Sequence, residues 1–252
     1  SMNPELEELY SGNILECVRQ LHYSMNNENS VDITLFVNGF PIVIMELKNQ
    51  YTGQDINNSI HQFKFDRDPE DPIFRFNERS LVYFGVDLFE CVMTTKLAKG
   101  GTYFLPFNQG SNGAGNVGGA GNPNNQDGFG TAYLWEKVLC KDSLLEILQK
   151  YMHLDYEPTK SWRTGKMIFP RYHQLDAVTK LVADAKENGS GKNYLIQHSA
   201  GSGKSNSIAW LAYRLSSLHD NNDNKIFDSV IVVTDRKVLD SQLQNTIYQF
   251  DH

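Results

Sequence analysis

The chain has 252 residues, 21% charged and 40% hydrophobic, which suits one large globular domain or two small ones. It has neither an apolar run near the roughly 20 residues that cross a bilayer nor a signal peptide's basic start and apolar middle; with three widely spaced cysteines, Cys17, Cys91 and Cys140, membrane and secreted classes are excluded and a reducing cytoplasm is expected. The net charge of −7 is uneven, with 11 Lys/Arg against 19 Asp/Glu over residues 1–150 and 12 against 11 over 151–252, so the basic stripe of a protein that grips nucleic acid unaided is missing.

Ser1-Met2 reads as a protease scar and is left out of the fold reasoning. Residues 4–22 place Leu6, Leu9, Ile14, Leu15, Val18 and Leu21 at near-helical spacing behind Pro4, which predicts a helix. Two strand-like runs, 31–37 and 41–47, follow. They are joined through Asn38-Gly39, the dipeptide of a tight hairpin, because both turn positions need positive φ. Residues 55–66 read as a short helix and 81–86 with 90–95 as a second strand pair. Segment 108–130 holds 8 Gly and 6 Asn in 23 residues and reads as a long loop. Residues 133–153 have helical periodicity, and 154–168 reads as a linker. Beyond it come helix 171–187, strand 193–197, helix 204–218 and strand 229–234, the opening of a parallel α/β domain.

Two constellations carry chemistry. In the first, the hairpin turns Asp32 back beside Glu46, while Glu46 and Lys48, two residues apart, share a face. Two carboxylates and an ammonium so placed suit metal-dependent phosphodiester hydrolysis, with the Leu47 carbonyl available as an extra ligand; Gln62, on the next helix, either points into this site or is a surface glutamine. A solvated strand end with a Glu/Lys pair explains the same residues, and both readings stand at this point. The second is His198-Ser199-Ala200-Gly201-Ser202-Gly203-Lys204-Ser205. It lies between an apolar run and an amphipathic helix, as a phosphate loop does. Glycines turn backbone N–H groups inward, Lys204 reaches the β- and γ-phosphates, and the Ser205 hydroxyl completes a Mg²⁺ shell. His198 stands where such loops usually begin with glycine. Gln174, upstream, could hydrogen-bond an adenine or simply pack at a helix start. Thr234-Asp235-Arg236 ends a strand where α/β sheets place functional residues, or is an ordinary solvated turn.

Asp32-Ile33-Thr34-Leu35-Phe36-Val37-Asn38-Gly39-Phe40-Pro41, Glu46-Leu47-Lys48-Asn49, His198–Ser205 and Thr234-Asp235-Arg236, together with Phe65-Asp66-Arg67-Asp68-Pro69, Phe104–Asn108 and Thr131–Glu136, resemble the N-terminal part of the R (motor and nuclease) subunit of type I restriction enzymes. The resemblance implies a PD-(D/E)xK restriction-endonuclease-like α/β domain over 1–153, a linker over 154–168, and the first part of a RecA-like parallel α/β motor domain over 169–252. It implies Asp32 and Glu46 as metal-binding acids, Lys48 as the catalytic lysine, and Gln62 as the glutamine of a Q-x-x-x-Y element whose tyrosine position is Asp66 here. Gly201, Ser202, Gly203, Lys204 and Ser205 would bind ATP, Gln174 its adenine, and Thr234, Asp235 and Arg236 DNA. The expected activity is Mg²⁺-dependent cleavage of double-stranded DNA coupled to ATP-driven translocation, in a complex with methyltransferase (M) and specificity (S) subunits. With no D-E-x-[HD] motif after Thr234, the chain by itself is expected not to turn ATP over. Alternative expectations are a helicase-like remodeller whose N-terminal domain binds without cutting, or a subunit-docking module.

Overall fold

The computed structural model describes residues 4–157 and 159–234. They form two compact units, one of residues 4–148 and 152–169, the other of 149–151 and the residues from 170 on.

The first unit opens with α1 (Pro4–Ser11), which Asn13 ends by donating its side-chain amide to the Leu9 and Tyr10 carbonyls. The expected helix over 4–22 stops there. Residues Leu15–His22 form β1, paired antiparallel with β2 (Ser30–Val37) along nearly their whole length. The helical look of this segment has a local cause. Leu15, Val18 and Leu21 turn partly inward at intervals of three, and strict alternation fails at Gln20, at φ 49°, inside the second interval. Long-range pairing with β2 overrides the local pattern.

β2 turns into β3 (Phe40–Leu47) through Asn38 and Gly39, at φ 51° and 81°, as the turn chemistry requires. Chain crossing then carries α2 (Ile56–His61), capped by Asp55, and a wide helical turn Gln62–Asp66. It returns as β4 (Val82–Val86), parallel to β3 and buried throughout. Strands β5 (Cys91–Thr94) and β6 (Leu105–Pro106) complete a mixed sheet of order β1-β2-β3-β4-β5-β6. Parallel strands lie at the covered centre of a sheet. Here Val43, Ile44, Met45 and all of β4 are buried, with Val31, Phe63, Ile73, Phe74, Tyr83 and Leu97 forming a core cluster. Gly85 lies opposite Glu46; a Cβ there would meet the Ser59 side chain and lie 3.1 Å from Val92 Cγ2, so its absence lets α2 sit close on the sheet.

Segment 108–130 has no helix or strand; Asn122 donates to the Phe89 carbonyl and to Asn108 Oδ1, and Gly130 N donates to the Leu88 carbonyl. The region read as one helix over 133–153 divides into a wide turn Leu134–Val138, α3 (Lys141–Lys150) and the start of β7 (His153–Asp155). The 154–168 stretch differs from the expected linker. β7 pairs antiparallel with β8 (Lys166–Ile168), and the segment is held on the first unit by Thr95 Oγ1, which donates to the Met167 carbonyl at 2.7 Å, and by Phe169 against Phe84.

The second unit contains α4 (Tyr172–Asn188) and α5 (Lys204–Ser216). Val178, Val182, Ala209 and Trp210 are buried in it, and Trp210 Nε1 donates to the Tyr151 carbonyl at 2.9 Å. The strands expected at 193–197 and 229–234 do not form among the described residues: Leu195 and Ile231 are 92% and 83% exposed. A parallel strand takes its hydrogen bonds only from neighbouring strands, and neither run has one among the described residues. Asp235 and Arg236 lie outside the described residues. No helix of the described residues is long and apolar enough to cross a membrane.

Candidate active site

β2 and β3 pair Ile33 with Met45, so Asp32 and Glu46 fall opposite one another one step further along. Asp32 accepts from Leu47 N at 2.8 Å and from Gln20 Nε2 at 2.9 Å. Gln20 in turn accepts from Ser30 Oγ, so the residue with the left-handed backbone holds one of the two acids. Lys48 Nζ donates to Gln62 Oε1 at 2.6 Å. Asp32, Glu46, the Leu47 backbone, Lys48 and Gln62 are thus brought together at one end of the β2–β3 hairpin.

Glu46 is fully buried, and its partner is Arg67, a residue the sequence reading did not single out as functional. Arg67 Nε donates to Glu46 Oε1 at 2.9 Å, and Nη2 lies 2.7 Å from the same oxygen while donating to the Ser30 carbonyl at 2.8 Å. The guanidinium lies 5.8 Å from the centre of the Tyr23 ring. Glu46 Oε2 is buried with no hydrogen-bond donor. Burial pushes the Glu46 carboxyl up to about 7; Arg67 opposes that rise, Asp32 adds to it and Lys48 subtracts. No periodicity marks Arg67, which sits 21 positions from Glu46; only its place in the Phe65–Pro69 stretch drew notice.

The donor set suits a hard cation. Buried acceptors normally find a partner, and an orphaned carboxylate oxygen beside a second carboxylate is a place for positive charge. Among the described residues no group of three or more His, Cys, Asp or Glu is assembled. A divalent ion held by Asp32 and Glu46 would complete its oxygen shell from backbone carbonyl, water and phosphate.

In the second unit Gly203, at φ 83°, is the N-cap of α5, and Gly201 lies at φ 71°. Lys204 Nζ folds back onto its own loop, donating to the carbonyls of Ser199 at 2.8 Å and His198 at 3.1 Å. An ammonium inside a glycine turn at a helix N-terminus fits a phosphate group. Gln174 is buried, and its amide is bonded to backbone at both ends: it accepts from Arg171 N at 2.8 Å and donates to the Gly203 carbonyl at 2.7 Å. A Cβ on Gly203 would clash with that amide. His173 Nε2 lies 3.0 Å from the Ser202 carbonyl, and its ring meets that of His198 edge-on at 4.7 Å. Burial lowers the pKa of both imidazoles, and Lys204 lowers that of His198 further. Ser202 is buried, Ser205 is half-buried beside Lys204, and Thr234 lies at the end of an exposed run.

Residues 6–101, which span Asp32, Glu46, Lys48, Gln62 and Arg67, match the family model described as type I restriction enzyme R protein N terminus. Residues 173–252, which contain the glycine turn, match the SWI2/SNF2 ATPase model. Among curated relatives, the MjaVIIIP protein of Methanocaldococcus jannaschii, provisionally named as a type I restriction enzyme endonuclease subunit, is 24% identical over 93% of this chain and 21% of its own length. The type I restriction enzyme SauCOLORF180P and SauMRSORF196P endonuclease subunits of Staphylococcus aureus strains COL and MRSA252 are each 25% identical over 87% of the chain and 20% of their own length. The chain spans about a fifth of the length of these relatives.

Proposed function

We propose that this chain, which carries the N-terminal region of a type I restriction enzyme R protein, supplies the DNA-cutting site of a restriction system and the phosphate-binding end of its motor. The observation that carries the reading is the buried Glu46 carboxylate with one orphaned oxygen, set beside Asp32 and Lys48.

The reaction is hydrolysis of phosphodiesters in double-stranded DNA. Asp32 and Glu46 would hold magnesium, which when bound lowers the pKa of a water and offsets charge on the phosphate. Lys48, oriented by Gln62, offers its ammonium to the negative charge that develops on the phosphate oxygens. Leu47 N fixes Asp32, and burial keeps water from competing for Glu46. In the second unit, which we read as the start of a RecA-like motor lobe, Lys204 and the loop N–H groups bind the ATP phosphates and Ser205 lies next to Lys204 for its magnesium. Gln174 shapes the loop through Gly203. Thr234, Asp235 and Arg236 would face DNA. The acidic first 150 residues fit a nuclease to which a motor and methyltransferase and specificity subunits deliver duplex in the cytoplasm.

The test is mutational, in the full-length protein. Glu46→Ala and Lys48→Ala abolish cleavage and spare ATP hydrolysis, whereas Lys204→Ala abolishes both. ATPase loss in a folded Glu46→Ala protein would refute separate sites.

A further inference from the structure

A guanidinium paired with a carboxylate frequently engages both oxygens in a parallel fork. Arg67 does not. Its Nε and Nη2 converge on Oε1 of Glu46, at 2.9 and 2.7 Å, and leave Oε2 without a donor although the whole side chain is buried. The same Nη2 reaches the Ser30 carbonyl at 2.8 Å, two residues before Asp32. One planar group therefore ties β3 at the first acid to β2 beside the second. The guanidinium is itself fixed, because the Tyr23 ring that it faces packs edge-on against buried Phe74 at 4.9 Å.

We propose that Arg67 is a positioning residue of the carboxylate site: it pins Glu46 Oε1, turns Oε2 toward the cation position, and sets the spacing of Glu46 from Asp32. The proposal rests on the metal-dependent nuclease reading and adds to it a residue that touches neither metal nor substrate. It has a consequence a mere counter-ion would not have. A counter-ion is displaced when a divalent cation arrives, whereas a positioning group keeps its hydrogen bonds in the loaded site. Lysine does not replace it, since its ammonium lacks the fixed second donor, Nε, that pins Oε1 while Nη2 reaches the Ser30 carbonyl.

The experiment uses the 252-residue chain with Mn²⁺ calorimetry and, on wild type, NMR of the Arg67 Nε–H signal during Mg²⁺ titration. Wild type binds Mn²⁺ and Glu46→Gln does not. Arg67→Lys keeps a cooperative melt but binds roughly 10–100-fold more weakly, the usual effect of losing an outer partner of a metal ligand. The Arg67 Nε–H resonance keeps its hydrogen-bonded shift at saturating Mg²⁺. Arg67→Lys binding as tightly as wild type, or an Nε–H signal released by Mg²⁺, overturns the proposal and leaves the nuclease reading intact. Equal or absent Mn²⁺ binding in wild type and Glu46→Gln, with and without duplex DNA, overturns the reading itself. Should Arg67→Lys fail to fold, the wild-type NMR signal decides alone.

Discussion

Glu46→Gln offers a test of the electrostatics that involves no catalysis. Burial lifts the Glu46 carboxyl from 4.5 to about 7 in the folded protein. Between those values the native state holds its proton more tightly than the unfolded chain, so native stability falls as pH rises through the window and is level above it. The difference is about 2.5 pH units, which at about 1.36 kcal/mol per unit is about 3 kcal/mol. Stability measured by urea denaturation at intervals from pH 4.5 to 8, in chelator, should therefore show wild type losing about 3 kcal/mol more than Glu46→Gln, because glutamine does not titrate. Ionisable groups away from the site cancel in the difference. Adding Mg²⁺ at pH 8 should restore stability to wild type and leave the glutamine variant unchanged. A wild-type-minus-variant curve flat across the window would refute the reasoning, since it would mean that Arg67 fully offsets the burial of the carboxylate.

Two further changes probe the supports of the sites. Gly85→Ala puts a methyl group into the Ser59 side chain and 3.1 Å from Val92 Cγ2; it should cost about 1–3 kcal/mol in urea denaturation and lower cleavage by moving α2, and with it Gln62, away from Lys48. Gln174→Ala removes the amide that holds the Gly203 carbonyl. Affinity for a fluorescent ATP analogue, read by titration, should fall about tenfold, the worth of about one hydrogen bond, and an unchanged affinity would free Gln174 from any role in the loop.

Local chemistry made part of this fold legible. Asn38-Gly39 can hardly be other than a tight turn, and it lies at φ 51° and 81° between the two strands it was expected to join. Counting outward from that turn sets Asp32 opposite Met45, and the register shift between Leu35 and Phe36 moves it one step on, to Glu46. β1 was not legible, because its half-buried residues fall at intervals of three, one interval spanning the left-handed Gln20, and so imitate a helix. The apolar runs 193–197 and 229–234 were read as strands from composition, yet composition does not supply a hydrogen-bonding neighbour. Arg67 was beyond local reasoning altogether: a lone arginine after a helix has no period, and its meaning comes from Glu46 and Ser30, 21 and 37 positions away.

The topology explains why these distant residues meet. A parallel pair cannot be closed by a tight turn and needs a long crossover. β3 and β4 are the parallel pair of the sheet, and the crossover between them begins at Lys48, the residue after Leu47 closes β3. As that segment folds back over the sheet it lays α2 against Gly85 and delivers first Gln62 to Lys48, then Arg67 to Glu46. The antiparallel hairpin brings Asp32 from the other side. The pairing of the two acids therefore depends on the local hairpin and its register shift, while Gln62 and Arg67 depend on one long-range connection. Changes in the crossover that preserve α2 packing but alter its length should displace Arg67 before they disturb the Asp32–Glu46 pair, so cation affinity should weaken while the sheet stays folded.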